Sequence, residues 1–184
     1  MSETRDLLIE VGTEELPPKA LHGLSAAFHG ELVKRLTDAR LDFTGSRAYA
    51  SPRRLAVLVE NLAGMQPAQQ VERRGPAKAA AYGKDGQPTQ AALGFARSCG
   101  VEFGALETLK TDKGEWLVYR AAQPGRPLAA LLPDFVRDAL AALPIPKRMR
   151  WGSGDAEFVR PVHWLVALYG TEVVPLEVFG IQAD

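Results

Sequence analysis

Five apolar side chains, Leu21, Leu24, Phe28, Leu32 and Leu36, recur at steps of three and four residues just after the pair Pro17-Pro18. That spacing places them on one stripe of an α-helix, and such a stripe must be buried against another layer of structure. Proline suits the first helical turn, where N–H groups lack intrahelical partners, and Glu14 and Glu15 suit the positive end of the helix dipole. The helix is expected to end near Asp38–Arg40. Short apolar runs supply the second layer: Leu7–Val11 closed by Gly12, Phe43–Ala50, Leu55–Val59, His163–Tyr169 and Val173–Phe179. Ser51-Pro52 interrupts the second of these, so S-P-R-R at 51–54 reads as a hairpin turn.

Further along, Met65–Arg74 is polar and extended, Gly75-Pro76 is expected to turn the chain, and Lys78–Gly86 reads as a mobile, alanine-rich surface segment. Thr89 fits the N-cap of a short helix closed by Gly100, with Leu93, Phe95, Ala96 and Cys99 on its apolar face. Leu106–Thr111 and Glu115–Ala121 flank Asp112-Lys113-Gly114, a hairpin signal. Pro127–Leu143 carries Leu128, Leu132, Phe135, Ala139 and Leu143 on one face of a second long helix, which Pro133 should kink or restart. Strands and helices alternate without a βαβ rhythm. The pattern gives an α+β fold, with a mixed or antiparallel sheet packed against two long amphipathic helices and one short one. It forms one domain, or two small lobes with a boundary near 64–88.

The 22 basic and 22 acidic residues cancel, which excludes a globally basic nucleic-acid binder and confines any such role to a local patch. The lone Cys99 excludes an internal disulfide and a multi-cysteine zinc site, and it reads as a small buried hydrophobe. The first residues lack a cationic stretch followed by an apolar one, and no apolar run approaches the ~20 residues that span a bilayer, so a cytoplasmic location is expected. V-P-L-E-V-F-G-I-Q-A-D stops just after a core-like strand, which suggests a piece of a longer chain.

The stretch richest in chemistry is Leu143–Gly170. Two prolines frame Lys147, Arg148, Arg150 and Trp151, a Gly-Ser-Gly turn follows at 152–154, and Arg160, His163 and Trp164 lead into the apolar run. Cationic and aromatic side chains on a stiff loop grip phosphate and stack on bases. Equally, Trp151 and Trp164 read as core anchors and the arginines as a solvated rim. Basic pairs recur at what look like element junctions: Arg53-Arg54, Arg73-Arg74, and Lys147-Arg148 with Arg150. Arginine can fork two N–H groups onto a phosphate, but junction arginines also bind backbone carbonyls. Glu10, Glu14 and Glu15 cluster near the first strand, where paired carboxylates could act as acid and base or simply face the helix dipole. His22, His29 and His163 lack metal-ligand spacing. No nucleophile elbow, dinucleotide fingerprint or Walker A loop occurs.

L-I-E-V-G-T-E-E-L-P-P at 8–18, S-P-R-R-L-A-V at 51–57, G-x-P-T-x-A-A-x-G-F-A at 86–96, P-K-R-M-R-W-G at 146–152 and F-V-R-P-V-H-W-L-V-A-L at 158–168 run in order over the whole chain. Together they resemble the N-terminal part of the β subunit of bacterial heterotetrameric glycyl-tRNA synthetase. The resemblance implies an α2β2 ligase that joins glycine to its tRNA. ATP and Mg would act at the α subunit, and no cofactor is implied in this stretch. The β subunit would mainly recognise tRNA, through modules that extend beyond these residues. It also implies a distant likeness to the editing-type module of the phenylalanyl enzyme's β subunit. No catalytic residue is carried over. The candidate tRNA contacts are Arg53, Arg54, Arg73, Arg74, Lys147, Arg148, Arg150, Trp151, Arg160 and His163. The alternatives are an assembly module without RNA contact, and a vestigial editing-like pocket with His163 and Glu14.

Overall fold

The computed structural model describes residues 3–83, 86–112 and 114–184. In chain order the strands and helices are β1 (Thr4–Thr13), α1 (Pro18–Asp38), β2 (Gly45–Ser51), β3 (Arg54–Ala63), β4 (Gln69–Ala77), α2 (Lys78–Ala81) and α3 (Gln90–Ser98). They continue as β5 (Glu107–Thr111), β6 (Gly114–Gln123), α4 (Leu128–Ala141), β7 (Met149–Arg150), β8 (Glu157–Phe158), β9 (Val162–Tyr169), β10 (Glu172–Val173), β11 (Glu177–Val178) and β12 (Ile181–Gln182). The fold is α+β. The chain forms two compact units, one of residues 1–67 with 126–184 and one of residues 68–125.

The first unit is built on a five-stranded sheet of order β10-β9-β1-β3-β2, antiparallel at every pairing. β1 is central, with β3 on one side and β9 on the other. The period-two alternation of a strand sends Leu7, Ile9 and Val11 to one face, level with Val59, Val57 and Leu55 on β3 and with Leu165 and Ala167 on β9. All eight side chains are buried. Helices α1 and α4 cover them with Leu24, Phe28, Leu32 and Leu36 from one and Leu128, Leu132, Val136 and Leu140 from the other. Pro18 opens α1 with Pro17 as its N-cap, which places Glu14 and Glu15 before the first turn, not in it. Pro133 neither stops nor restarts α4, which runs through it as one helix. The first strand continues through Gly12 to Thr13, and the second apolar run forms a strand only from Gly45. S-P-R-R makes a tight hairpin, with Ser51 opposite Arg54.

Val173–Phe179 is not one strand. β10 pairs with β9 for two residues and the chain breaks before Pro175; β11 then pairs with β12 in a separate small ladder, with Phe179 at φ 58° and Gly180 at φ 78° between them. Proline cannot donate into a ladder, and the two left-handed residues make a sharp turn there. The segments that leave and re-enter this unit run side by side: Met65 bridges Pro127, and the Gln66 N–H donates to the Arg126 carbonyl at 3.0 Å.

The second unit is a three-stranded antiparallel sheet, β4-β6-β5, with α3 and the single turn α2. Its small core holds Ala81, Ala92 and Leu117, with Phe95, Phe103 and Leu106 against them. Gly75-Pro76 does not turn the chain; it lies inside β4 at a register shift between Arg74 and Ala77. Proline has no N–H to give the ladder, so the strand bulges there, and a side chain on Gly75 would meet the Phe95 ring at 2.5 Å. Lys78–Ala81 is helical, with Lys78, Ala79 and Ala80 exposed as a surface segment should be and only Ala81 fully buried; Lys84 and Asp85 lie outside the described residues. The Thr89 hydroxyl caps α3 by accepting from the Ala92 N–H, and Gly100 follows at φ 72°. Ala92 and Ala96 form the buried face of α3, while Cys99 is only half-buried. In the β5–β6 hairpin, Asp112 and Gly114 flank Lys113, which lies outside the described residues. No described helix is long and apolar enough to cross a membrane.

Phe28 is fully enclosed where α1 meets the sheet. Phe28→Ala should therefore lower unfolding free energy by about 3–5 kcal/mol through lost burial and a residual cavity. Urea titration would show this as a lower midpoint at an unchanged slope.

Candidate nucleic-acid interface

Three of the sequence motifs meet at one end of the five-stranded sheet, and backbone hydrogen bonds hold them there. The Thr13 N–H donates to the Arg53 carbonyl at 2.8 Å, the Leu16 N–H to the Pro52 carbonyl at 2.7 Å, and the Glu14 N–H to the Pro161 carbonyl at 2.9 Å. The β1–α1 turn, the β2–β3 hairpin and the approach to β9 thus form one junction. The strand-to-helix turn would otherwise leave these donors unpaired, at a cost comparable to a lost hydrogen bond each.

Trp164 lies on this junction in a fixed pose. Gly12 is its direct neighbour across the β1–β9 pairing, and a Cβ there would fall 1.9 Å from indole Cε2. Only glycine lets the ring rest on the strand backbone. The indole N–H donates to Glu10 Oε1 at 2.8 Å, and Arg54 Nη1 reaches Glu10 Oε2 at 3.3 Å with its guanidinium carbon 5.7 Å from the ring centroid. Beside it, His163 Nε2 and Glu14 Oε1 are 2.7 Å apart. Arg53 donates from Nε to the Thr13 carbonyl at 3.4 Å and lies 3.9 Å from Glu14 Oε2. Glu10 and Glu14 are therefore each tied to different cationic or N–H partners, not paired with one another as an acid–base couple. Sequence reasoning saw E-x-G-T-E but could not know that its glycine seats an aromatic from the far end of the chain.

The P-K-R-M-R-W group sits elsewhere in the same unit. Arg148 Nη2 donates to the Ala141 carbonyl at 2.8 Å and so satisfies an orphan group at the C-terminus of α4. Arg150 is 3.7 Å from Asp155, which lies in the turn joining β7 to β8, and both are well exposed. Trp151 is half-buried and packs edge-on against Phe179, with centroids 5.9 Å apart, so it acts partly as a core anchor. Lys147 is exposed. Arg160, half-buried, donates from Nη1 to its neighbour's carbonyl at Val159.

Arg73 and Arg74 do not lie at an element junction. They are inside β4 of the second unit, opposite Tyr119 and Val118 on β6. Because neighbours along a strand point to opposite faces, the two arginines diverge. Arg73 Nη1 donates to the Ser98 carbonyl at 2.8 Å, and Arg74 stacks 4.0 Å from the centroid of Trp116. The sequence pairing of these two cations is thus undone by the strand. Among the described residues no group of three or more His, Cys, Asp and Glu could hold a metal ion.

Gly12→Ala should expel the indole from its seat and break the Trp164–Glu10 hydrogen bond. The expected cost is about 1–3 kcal/mol, as for an overpacked site. It should come with a changed near-ultraviolet dichroism signal, while far-ultraviolet dichroism stays unchanged.

Comparison with known proteins bears on what this junction belongs to. The family model described as glycyl-tRNA synthetase beta subunit matches residues 7–184. A glycine–tRNA ligase beta subunit from Chromohalobacter salexigens is 56% identical over 96% of this chain and 26% of its own length. The one from Marinobacter nauticus is 53% identical over 97% of the chain and 26% of its own length, and that from Salmonella paratyphi B 50% identical over 100% and 27%. The chain therefore spans about a quarter of the length of the curated relatives it matches. With the match running through every motif that builds the junction, the chain belongs to the glycyl-tRNA synthetase beta subunit family.

Proposed function

We propose that this chain is a non-catalytic, tRNA-seating part of a cytoplasmic glycine–tRNA ligase. It would position tRNA for an α subunit that joins glycine to it in an α2β2 assembly. ATP and Mg belong to that α subunit in this reading. The observation that carries the reading is the exposed cationic loop Lys147–Arg150 on a unit whose family acts in tRNA aminoacylation. Arg150 has only a long, solvent-screened contact to Asp155, so phosphate can displace it at little cost.

Substituting Lys147 and Arg150 by Gln in the full β subunit should weaken tRNA binding by the intact ligase. The log–log salt slope should fall by about 0.7–0.9 for each lost phosphate contact. A slope and affinity matching the unmodified enzyme would contradict the reading.

Two rival readings each rest on one feature. An assembly role is favoured by the apolar side chains on the sheet face away from the helices, and it predicts altered subunit association at constant tRNA affinity. A likeness to the editing-type module is favoured by the His163–Glu14 pair at 2.7 Å. It predicts accelerated hydrolysis of a misacylated glycine tRNA that His163→Ala abolishes; a rate equal to buffer would end it.

A further inference from the structure

Only one face of the five-stranded sheet is covered by α1 and α4. The other carries three rows of side chains set by the strand register: Ser51, Arg54, Gly12 and Trp164; Tyr49, Ala56, Glu10 and Val166; Arg47, Leu58, Leu8 and Leu168. Its aliphatic members Leu8, Leu58, Val166 and Leu168 are half-buried and form a sunken floor. What stands above the floor is aromatic or cationic. Tyr49 is 49% exposed, and the side chains of Arg47 and Arg54 are 64% and 52% exposed.

The charge is layered. Arg47 pairs with Glu60 at 3.0 Å and Arg54 with Glu10 at 3.3 Å, yet those carboxylates are only 32% and 18% exposed. In each pair the guanidinium is the more exposed partner, and so the one a ligand meets first. The acids also hold the guanidiniums in place, which lowers the entropy lost when they bind. Trp164 is preorganised in the same way, flat on Gly12 with its N–H committed to Glu10. Between Tyr49 and Arg54 lies a depression of about 270 Å³ lined also by Leu8, Ala56 and Glu10, the last engaged by Arg54 and the Trp164 indole.

We propose that this open sheet face receives unpaired nucleotides of an RNA, with Tyr49 and Trp164 as stacking platforms and Arg47 and Arg54 as phosphate contacts. The inference rests on the tRNA-seating reading and deepens it by naming a surface and the form of RNA it takes. Bases within an A-form duplex do not expose their faces, so stacking platforms select loops, bulges or single-stranded ends. Tyr49 on β2 and Trp164 on β9 are separated by three strand spacings, about 14 Å, so they serve two different nucleotides.

The test uses the intact ligase with three β-subunit variants: Tyr49→Ser, Arg47→Gln, and the double Gln variant of Lys147 and Arg150. Tyr49 and Arg47 are exposed on a single sheet face, so thermal melts should match the unmodified enzyme. Tyr49→Ser should weaken binding of glycine tRNA by about 5- to 100-fold with the salt slope retained, as for loss of one stacked base. Arg47→Gln should lower the slope by about 0.7. Unchanged affinity for both while the loop variant weakens overturns the open-face proposal and leaves tRNA seating standing. Unchanged affinity for all three overturns both. Altered subunit assembly at constant tRNA affinity assigns the face to a protein partner and likewise overturns the proposal.

Discussion

The contact between Trp164 and Gly12 ties the two ends of the chain together. Its hydrogen bond to Glu10 spans 154 positions of sequence, and the contact lies where β1, the central strand, receives β9 on one side and β3 on the other. Long-range antiparallel pairing of this kind must offset a large loop-closure entropy. Here the offset comes from a buried apolar row on one face of the sheet and a locked aromatic on the other. The same junction fixes the hairpin of Pro52 and Arg53, the start of α1 and the turn at Pro161 through three backbone donors.

The cations of this chain divide by what already holds them. Arg148 caps a helix, Arg73 and Arg160 serve carbonyls, Arg120 bridges Glu72 and Glu107, and Arg5 bridges Glu3 and Glu172. These arginines contribute structure first. Arg47, Arg54, Lys147 and Arg150 differ in being well exposed, with any acidic partner either recessed or distant. A net charge of zero is therefore compatible with a locally positive surface. Counting basic pairs along the sequence mixes these two kinds. Burial and partner depth separate them.

Much of the fold was legible because its signals are local. The stripe Leu24, Phe28, Leu32 and Leu36, the proline start of α1, the Thr89 cap and the S-P-R-R hairpin all follow from spacing and backbone preference. The misread stretches are those where tertiary partners decide. Gly75-Pro76 has the composition of a turn, but β6 holds it in a bulged strand. Ala81 looks like surface, yet it completes a core with Leu117. The junction residues were visible as motifs, but their convergence was not, since it depends on the order of strands in the sheet. Arg47 and Tyr49 gave no signal at all: G-S-R-A-Y-A-S is an unremarkable polar strand until its register sets it opposite Leu58 and Ala56.

Hydrogen–deuterium exchange of the full β subunit in the intact ligase, with and without glycine tRNA, tests the central claim most directly. Tyr49 and Arg47 lie on β2, an edge strand whose outer backbone groups have no ladder partner within the five-stranded sheet. If RNA seats on the open face and the cationic loop, tRNA should slow exchange in residues 45–51 and 147–152, while α1 and α4 on the covered face stay unchanged. Protection absent from both segments, with tRNA bound at saturation, would contradict the account.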